Sequence, residues 1–319
     1  MITIATSMDV LTQRTLLESG FDGHFKFHDI KDAISNPDIA EKCEGIWVTL
    51  FPLVDESLLN SFPKLKFVAS PTTGLTHIDV ELLKSKKIEL FSLQGQSDFL
   101  KGISATPEFA WGLMLSVWRK IPLSASQFDG DTSIRTRFSS KQLRGRNVGI
   151  IGFGRVGKYL YKYANAFEMK TFFYDPYIST NQSDDFPGTT NSLKELLEIS
   201  DIVFVAASVQ KSEYSRYPLL NKETIPCLKK GSIVINISRG ILVDENELAK
   251  ALREENIFGI GTDVLLREEL DNVSKELSPL EIARNDGLNV LITPHLAGMC
   301  DDAFFKCCAN IAWQITQSK

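Results

Sequence analysis

The sequence predicts an α/β protein with two doubly wound parallel-sheet domains, and three observations support this prediction. Short apolar runs alternate with amphipathic stretches along almost the whole chain, a pattern typical of parallel strands joined by crossover helices. The pattern breaks once, in a polar stretch at residues 124–146, and starts again at Asn147. The length of 319 residues suits two domains of ordinary size.

The first domain is predicted from apolar and alternating runs in the first third of the chain. Pro63 and Pro71 mark the ends of a helix and of a strand, because proline cannot continue either element freely. The predicted strands cover residues 2–6, 24–30, 45–50, 64–70 and 88–93, and the predicted helices cover residues 55–62 and 79–87.

A long apolar helix is predicted to follow, over residues 106–121. Thr106 is a candidate N-cap, Pro107 suits the first helical position, and Glu108 favours the positive end of the helix. The helix is predicted to stop before Pro122, and the polar stretch after it is predicted to be a loop.

The second domain is predicted from the pattern that restarts at Asn147, and a closing helix ends the chain. Its strands again alternate with helices, which favours a second parallel sheet. The predicted strands cover residues 147–154, 169–175, 201–207, 231–238, 257–265 and 288–295, and the predicted helices cover residues 155–167, 193–200, 244–256 and 301–317.

Composition excludes several classes of function. The formal net charge of −5 gives no electrostatic case for nucleic-acid binding, and no run of 18 apolar residues predicts a membrane span. The five cysteines show no CxxC spacing, so no zinc or other metal site is expected. Their odd, scattered distribution is typical of a protein in the reducing cytoplasm.

A glycine loop follows the first strand of the second domain. Gly152, Gly154 and Gly157 have the G-x-G-x-x-G spacing, which permits a tight turn, close approach to a pyrophosphate and close helix packing. Asp175 ends the next predicted strand, 18 residues after Gly157, where a carboxylate binds a ribose diol and repels a 2′-phosphate. The loop therefore predicts NAD rather than NADP, the alternative being a glycine turn without a ligand.

Polar residues follow three later strands of this domain. Arg239, Asp263 and His295 stand at predicted strand ends, and Glu268 comes shortly after Asp263. Ligands of open α/β sheets bind outside the carboxyl ends of strands. Taken singly, Arg239 suits a solvated surface and Asp263 suits a turn cap. Glu268 suits a solvated face, and His295 suits a packed core. Their joint occurrence after a dinucleotide loop favours an acid–base site.

The segment from Asn147 to Gly298 resembles the D-isomer-specific 2-hydroxyacid dehydrogenase family. The matching motifs are "VGIIGFGRVGK", "FYDP", "GSIVINISRGILVDENELAKAL", "GIGTDVLLREE" and "ITPHLAG", with "FPKLKFVASPTTGLTHIDVELL" and "ATPEFAWGLMLSVWRKIP" before them. The resemblance implies a flavodoxin-like substrate domain, a Rossmann NAD domain, an active site in the cleft between them, and a homodimer built on the NAD domains. The implied boundaries are residues 1–101 with 297–319 for the substrate domain and 102–296 for the NAD domain.

The resemblance also implies an activity, the interconversion of a 2-oxo acid and a D-2-hydroxy acid by hydride transfer with NAD. His295 would exchange the proton, Glu268 would orient its ring, and Arg239 would bind the substrate. Backbone N–H groups of Thr73, Gly74 and Leu75 would hold the substrate carboxylate. The implied cofactor-binding residues are Gly152, Gly154, Arg155, Val156, Gly157, Asp175, Ser238, Asp263 and Thr106.

The chain departs from the family pattern at several places, and the stretches "VQKSEYSRYPLL" and "LDNVSKELSPLEIARNDG" look longer than in the family. Glu269 stands where the family has proline, so Glu269 remains an alternative partner for the histidine. Residues 206–208, "AAS", replace a His-x-Pro step near the nicotinamide. Two other functions also remain open, a non-catalytic NAD-sensing scaffold and a formate dehydrogenase-like enzyme. Formate dehydrogenases pair the histidine with glutamine, and Glu268 argues against that alternative. The sequence does not name the 2-oxo acid.

Overall fold

The computed structural model describes residues 1–178, 186–190, 192–209, 217–269 and 276–318. The chain divides into two units, one formed by Met1–Ile103 with Met299–Lys319 and the other by Ser104–Gly298. Each unit contains one parallel sheet with helices between its strands. This confirms the predicted pair of parallel-sheet α/β domains.

The described elements alternate in the order that parallel sheets require. The strands are β1 (Ile2–Thr6), β2 (Phe25–Asp29), β3 (Gly45–Trp47), β4 (Phe67–Ser70), β5 (Glu89–Ser92), β6 (Asn147–Ile151), β7 (Lys170–Tyr174), β8 (Ile202–Val205), β9 (Ser232–Asn236), β10 (Ile257–Thr262) and β11 (Val290–Ile292). The helices are α1 (Val10–Leu16), α2 (Ile30–Ser35), α3 (Pro37–Ala40), α4 (Glu56–Asn60), α5 (Val80–Ser85), α6 (Ser97–Leu100), α7 (Ala105–Trp118), α8 (Ile121–Gln127), α9 (Arg155–Ala166), α10 (Leu193–Ile199), α11 (Glu245–Arg253), α12 (Pro279–Asn285) and α13 (Asp301–Gln317).

The first unit has a five-stranded sheet in the order β2-β1-β3-β4-β5, with every pair parallel. Aspartates are the N-cap residues of α1, α2, α4 and α5. Each carboxylate accepts a hydrogen bond from a backbone N–H group in the first turn of its helix. Helix α13 returns from the end of the chain and buries Cys308 and Ile311 against the sheet beside Trp47.

The second unit has a six-stranded parallel sheet in the order β11-β10-β9-β8-β6-β7. The order reverses between β6 and β8, so the carboxyl ends of these two strands open the crevice where such sheets bind ligands. Helix α7 packs in the core of this unit, and it buries Trp111, Met114 and Val117 with residues of β6, β8 and β9. Its apolar sequence therefore belongs to a buried helix rather than to a membrane span.

Two predictions about the region after α6 are wrong. Ser104, not Thr106, is the N-cap of α7, so Thr106 lies inside the first helical turn. Helix α7 does end before Pro122, at Trp118, but Pro122 then lies at the start of α8, and a short 3₁₀ helix covers Thr132–Phe138. The stretch that was predicted to be a loop is therefore partly helical. A proline suits the first turn of a helix because its missing N–H is not needed there.

None of the five cysteines, all of which lie within the described residues, takes part in a disulfide. Cys43, Cys307 and Cys308 are buried, and burial raises the pKa of the Cys308 thiol well above its usual range. Cys227 is half-buried, and Cys300 is exposed at the start of α13.

Candidate active site

The glycine loop joins β6 to α9, and its backbone admits no side chain at two positions. Gly152 has a φ of +89°, and a Cβ there would lie 2.4 Å from the Cα of Ala207. A Cβ on Gly157 would lie 2.4 Å from the carbonyl oxygen of Gly152. The first glycine therefore permits the turn, and the last lets the helix pack directly on it.

The start of α9 faces open space. A Cβ on Gly154, the N-cap residue, would meet no atom within 4 Å, and Arg155 and Val156 begin the helix. The first N–H groups of a helix carry partial positive charge and have no partner inside the helix, so they suit a phosphate. The carboxylate of Asp175 lies beside the loop and accepts a hydrogen bond from Phe153 N at 2.8 Å.

The turn after β9 presents Arg239 and is tied by side-chain hydrogen bonds. Asn236 Nδ2 donates to the carbonyl oxygen of Arg239 at 2.9 Å, and Ser238 N donates to Asn236 Oδ1 at 3.1 Å. Ser238 Oγ donates to the carbonyl oxygen of Ala207, which belongs to the segment that closes on Gly152. The half-buried arginine therefore stands on a turn connected to the glycine loop.

The turn after β9 lies directly against the turn after β10. A Cβ on Gly240 would lie 2.2 Å from the carbonyl carbon of Leu265, so only glycine permits this approach. Glu245, at the start of α11, accepts a hydrogen bond from Leu266 N at 2.7 Å. Burial raises the pKa of this carboxylate. These contacts place the chain segment of Arg239 beside the segment that carries Glu268.

Glu268 contacts the ring of His295. The distance between Glu268 Oε2 and His295 Nδ1 is 2.7 Å, and each side chain is 25% exposed. The other carboxylate oxygen, Oε1, accepts from Leu265 N at 2.8 Å, which fixes the carboxylate. An ionised carboxylate only accepts, so Nδ1 carries the shared hydrogen and Nε2 is the nitrogen left for proton exchange. The side chain of Glu269 lies outside the described part of the structure.

Asp263 organises the turn that carries His295. His295 has a φ of +57°, and its N–H donates to the carbonyl oxygen of Asp263 at 3.0 Å. The Asp263 carboxylate, 0% exposed, accepts from Thr293 Oγ1 at 2.6 Å, Leu296 N at 2.8 Å and Ala297 N at 2.7 Å. The pKa of Asp263 is raised, because the effect of burial is larger than the opposite effect of these hydrogen bonds and of the nearby His295 ring. The histidine thus holds a left-handed conformation that few residues adopt unaided.

Sequence reasoning left two roles open for Asp263, a cofactor contact and a turn cap. Its carboxylate makes the hydrogen bonds expected of a turn cap. The cofactor contact stays a prediction. The proposed cofactor contacts of Thr106 and Ser238 likewise stay predictions.

The predicted substrate loop follows β4 in the first unit. Among the described residues, the backbone N–H groups of Thr73, Gly74 and Leu75 donate no hydrogen bond to another protein group. Three successive amide donors without protein partners suit an anionic ligand such as a carboxylate.

Sequence reasoning missed three residues that hold these turns, Glu245, Asn236 and Thr293. An acidic residue in the first turn of α11 has the signature of an exposed residue that favours the helix dipole, yet Glu245 is buried. Asn236 lies inside a strand and Thr293 just after one. No local pattern marks Glu245 or Thr293, because their contacts with Leu266 and Asp263 join segments that are distant in sequence. Asn236 bonds instead to Ser238 and Arg239 in the turn that follows it, so an Asx-type turn was the available signal.

Two family models match the chain and together cover most of it. The D-isomer specific 2-hydroxyacid dehydrogenase NAD binding domain matches residues 111–297, and the catalytic domain of the same description matches residues 5–98. The chain belongs to the D-isomer specific 2-hydroxyacid dehydrogenase family.

Curated members of this family include proteins with different named activities. The chain is 30% identical over 316 residues to the D-3-phosphoglycerate dehydrogenase of Homo sapiens, covering 98% of this chain and 55% of that protein. It is 28% identical over 315 residues to the glyoxylate reductase of Thermococcus litoralis, covering 92% of this chain and 88% of that protein. The chain therefore spans about half the length of the phosphoglycerate dehydrogenases it matches.

Solved structures of the family share the fold. The apo D-lactate dehydrogenase of Escherichia coli matches with a TM-score of 0.82 at 21% identity, covering 100% of this chain and 96% of that one. A D-lactate dehydrogenase of Aquifex aeolicus in complex with NAD and lactic acid matches with a TM-score of 0.78 at 23% identity, covering 99% and 95%. At this level of identity the match establishes the fold alone.

The second unit fits the NAD that its family domain binds. The glycine loop admits no side chain at Gly152 or Gly157, a Cβ on Gly154 at the N-cap of α9 would meet no atom within 4 Å, and Asp175 lies beside the loop. NAD, when bound, supplies or accepts the hydride. The family's His-x-Pro step is replaced by residues 206–208, which here line the glycine loop. Residues 210–216 and 270–275, where the chain also looks longer than the family, lie outside the described residues.

In the part of the chain that the structure describes, no helix combines the length and the apolar character needed to cross a membrane. Nor does that part contain a cluster of three or more His, Cys, Asp or Glu side chains able to hold a metal ion.

Proposed function

We propose that this chain is an NAD-dependent oxidoreductase that interconverts a 2-oxo acid and a D-2-hydroxy acid. The observation that carries the proposal is the 2.7 Å contact between Glu268 and His295, on a turn adjacent to that of Arg239, in an NAD-binding domain of this family. A histidine held by a carboxylate is suited to exchange a proton at its second ring nitrogen.

Each catalytic residue has one role in this proposal. In the reduction, Nε2 of His295 donates a proton to the carbonyl oxygen of the 2-oxo acid as its C2 receives the hydride. Arg239 binds the substrate carboxylate and stabilises the charge that develops on the carbonyl oxygen, since its planar group suits both contacts. Glu268 fixes the ring orientation. In the oxidation, Nε2 accepts the hydroxyl proton while C2 gives up the hydride.

The first unit contributes the second set of substrate contacts. We propose that the N–H groups of Thr73, Gly74 and Leu75 bind the substrate carboxylate, because they donate to no protein group among the described residues. In this proposal residues 1–101 with 297–319 form the substrate-binding domain, and residues 102–296 form the NAD-binding domain.

The proposal is tested by NADH oxidation with a panel of 2-oxo acids: glyoxylate, hydroxypyruvate, pyruvate, 3-phosphohydroxypyruvate and branched 2-oxo acids. Glyoxylate is the first choice, because this chain is 28% identical over 315 residues to a curated glyoxylate reductase. Turnover with at least one acid, faster with NADH than with NADPH because Asp175 repels a 2′-phosphate, is the expected result.

The two alternatives have distinct outcomes in the same panel. A non-catalytic NAD-sensing scaffold binds NADH but oxidises it with no acid. A formate dehydrogenase-like enzyme reduces NAD with formate. Binding of NADH without any turnover overturns the proposed activity.

We also propose that the protein is a cytoplasmic homodimer joined through its NAD-binding domains. The absence of a disulfide among its five cysteines suits a reducing compartment. Ile121, Phe128 and Phe167 expose large apolar side chains on the second unit, which suits burial against another copy. Light scattering after size exclusion gives the mass, and Ile121→Asp is expected to shift a dimer toward monomer.

A further inference from the structure

A buried series of hydrogen bonds connects β4 to the loop at Gly74. Ser70, the last residue of β4, is fully buried, and His77 is 6% exposed. Ser70 Oγ lies 2.9 Å from Thr72 Oγ1 and 3.2 Å from His77 Nε2. Thr72 Oγ1 donates in turn to the carbonyl oxygen of Gly74 at 2.9 Å. The series therefore ends on the backbone of the loop itself.

The direction of the series follows from counting hydrogens, because a hydroxyl group has only one to donate. Thr72 gives its hydrogen to the Gly74 carbonyl, so only Ser70 has a hydrogen to donate in the 2.9 Å contact between the two hydroxyl groups. The carbonyl oxygen of Thr49, at 3.3 Å from Ser70 Oγ, is the more distant acceptor. Since the Ser70 hydrogen is then used, Nε2 of His77 must carry a hydrogen and donate to Ser70.

The last acceptor in this series, the carbonyl oxygen of Gly74, shares a peptide group with the Leu75 N–H, which is proposed to bind the substrate carboxylate. The carbonyl of Gly74 and the N–H of Leu75 belong to one planar amide. A hydrogen bond to the oxygen polarises that amide and strengthens its N–H as a donor, and successive hydrogen bonds reinforce this effect. Among the described residues, this N–H has no protein acceptor.

We propose that His77, Ser70 and Thr72 are positioning residues that orient and polarise the Gly74–Leu75 peptide for the carboxylate of a 2-oxo acid. The inference rests on the proposed function, which assigns the Leu75 N–H to that carboxylate. None of the three side chains needs to touch the substrate, since each acts through the peptide.

The two ends of the loop are held independently of this series. Leu93 N donates to the carbonyl oxygen of Thr72 at 3.0 Å, and Ile78 N donates to that of Leu75 at 3.0 Å. These two backbone hydrogen bonds hold both ends of the loop. Removing one hydroxyl should therefore change the strength of the amide donor more than the fold.

The test compares Thr72→Val, which removes the hydroxyl at similar volume, with Thr72→Ser, which keeps it. Thr72→Val is expected to raise the KM for the 2-oxo acid and the Kd of oxamate, a carboxylate probe, by roughly 3- to 10-fold, the worth of one hydrogen bond. The kcat, the KM for NADH and the Tm are expected to change little. Thr72→Ser is expected to stay within about twofold of the unmodified chain.

A second readout does not require catalysis. Amide NMR of leucine-labelled protein, with the Leu75 peak assigned from its loss in Leu75→Met, reports directly on the donor. The Leu75 amide proton is expected to move upfield in Thr72→Val and in His77→Leu, but not in Thr72→Ser. Equal oxamate affinity and equal Leu75 shift in Thr72→Val and Thr72→Ser would overturn the proposal.

The two readouts separate the failure of this inference from the failure of the proposed function. If the unmodified chain reduces no 2-oxo acid and binds no oxamate, the proposed function fails, and the carboxylate half of the inference fails with it. The Leu75 shifts then still decide whether the three side chains polarise the peptide. If the unmodified chain is active and the shifts do not change, the inference alone fails.

Discussion

Buried carboxylates hold the turns of the second unit, whereas hydroxyl groups and a histidine support the loop at Gly74 in the first, which is proposed to bind the substrate. Asp263 accepts three hydrogen bonds around His295, and Glu245 accepts one beside Glu268. In the first unit, Ser70 and Thr72 make neutral contacts. Hydrogen bonds to charged groups contribute about 1.5–3 kcal/mol, against about 0.5–1.5 kcal/mol for neutral ones. The stronger anchors support the side chains proposed to react, and the weaker ones support a backbone donor.

The largest effect is expected from replacing His295, the side chain that Asp263 and Glu268 position. His295→Asn keeps a residue that tolerates the φ of +57° but cannot exchange the proton. The kcat is expected to fall by roughly 10²- to 10⁴-fold, the usual contribution of a general acid. NADH binding, followed by fluorescence titration, is expected to remain.

The exposed His24 of the first unit provides a control, since His24→Asn removes a histidine far along the chain from the turn at residues 293–297. It is expected to leave kcat unchanged. Near-normal turnover of His295→Asn would rule His295 out as the proton donor.

Asp263→Asn tests the charged anchor itself. An amide accepts through only one of its two polar atoms, so at least one of the donors Thr293, Leu296 and Ala297 loses its acceptor in a buried site. The free energy of unfolding is expected to fall by about 1–3 kcal/mol, measured by urea denaturation. The kcat is expected to fall more than the affinity for NADH, because the turn carries His295.

Asp98→Asn is a matched control at an exposed carboxylate, whose ion pair with Lys101 lies on the surface. Exposed pairs contribute little, so its stability is expected to stay close to that of the unmodified chain. If Asp263→Asn had an unchanged unfolding curve, the carboxylate would not be the anchor of this turn.

Gly240→Ala tests the contact between the turn after β9, which carries Arg239, and the turn after β10, which leads to Glu268. The new Cβ would lie 2.2 Å from the carbonyl carbon of Leu265, so one turn must move. Overpacking of this kind is expected to lower the free energy of unfolding by about 1–3 kcal/mol and to lower kcat/KM, since Arg239 and Glu268 separate. Gly112→Ala in α7, where a Cβ meets no atom within 4 Å, is expected to be neutral or stabilising. Similar losses in both variants would contradict the contact.

The smallest effect is expected in the pH dependence of the unfolding free energy, to which the buried Glu245 carboxylate contributes. Burial raises the pKa of Glu245 above the 4.5 of an exposed glutamate. Since the folded pKa is raised, the stabilising contribution is complete below about pH 4.5 and is lost as the pH rises through the folded pKa. Glu245→Gln keeps an acceptor for Leu266 N and removes this titration, although Glu281 and Arg267 still face the position.

Urea denaturation of both proteins between about pH 4 and 7 measures the difference. Over that range the unmodified chain is expected to lose more unfolding free energy than Glu245→Gln, by a difference on the order of 1 kcal/mol. Parallel curves for the two proteins would show that Glu245 does not titrate in this window. The unfolding free energy of Thr72→Val is expected to follow that of the unmodified chain over this pH range, because the contacts of the Thr72 hydroxyl group are neutral.

The sequence predicted the two sheets well because parallel strands are buried on both faces and form continuous apolar runs. Residues 201–207 and 231–238 contain such runs, and β8 and β9 lie within them. The short helices α1, α2, α3, α6, α8 and α12 were not predicted. Each has seven residues or fewer, too few for a helical period to stand out, although α4, α5 and α10 are as short and were predicted. In α12 the capping box of Ser278 and Glu281 was the available signal.

The candidate site was predictable in its residue types and less so in its contacts. Strand ends indicated Arg239 and His295, and the missing family proline left Glu269 as an alternative to Glu268. Among the described side chains, Glu268 contacts His295 at 2.7 Å. Glu245 and His77 could not be found, because a buried polar residue is identified only by the partner that folding brings to it. The catalytic and binding roles themselves stay predictions.

The distribution of the cysteines makes the protein easy to label. Three thiols are buried, and the half-buried Cys227 is expected to react slowly, so a maleimide dye should modify Cys300 first. The chain passes from the second unit to the first between Gly298 and Met299. A fluorophore on Cys300 therefore sits just beyond that junction, and stopped-flow measurements test whether its signal changes on binding of NADH and of a 2-oxo acid, without any engineered residue.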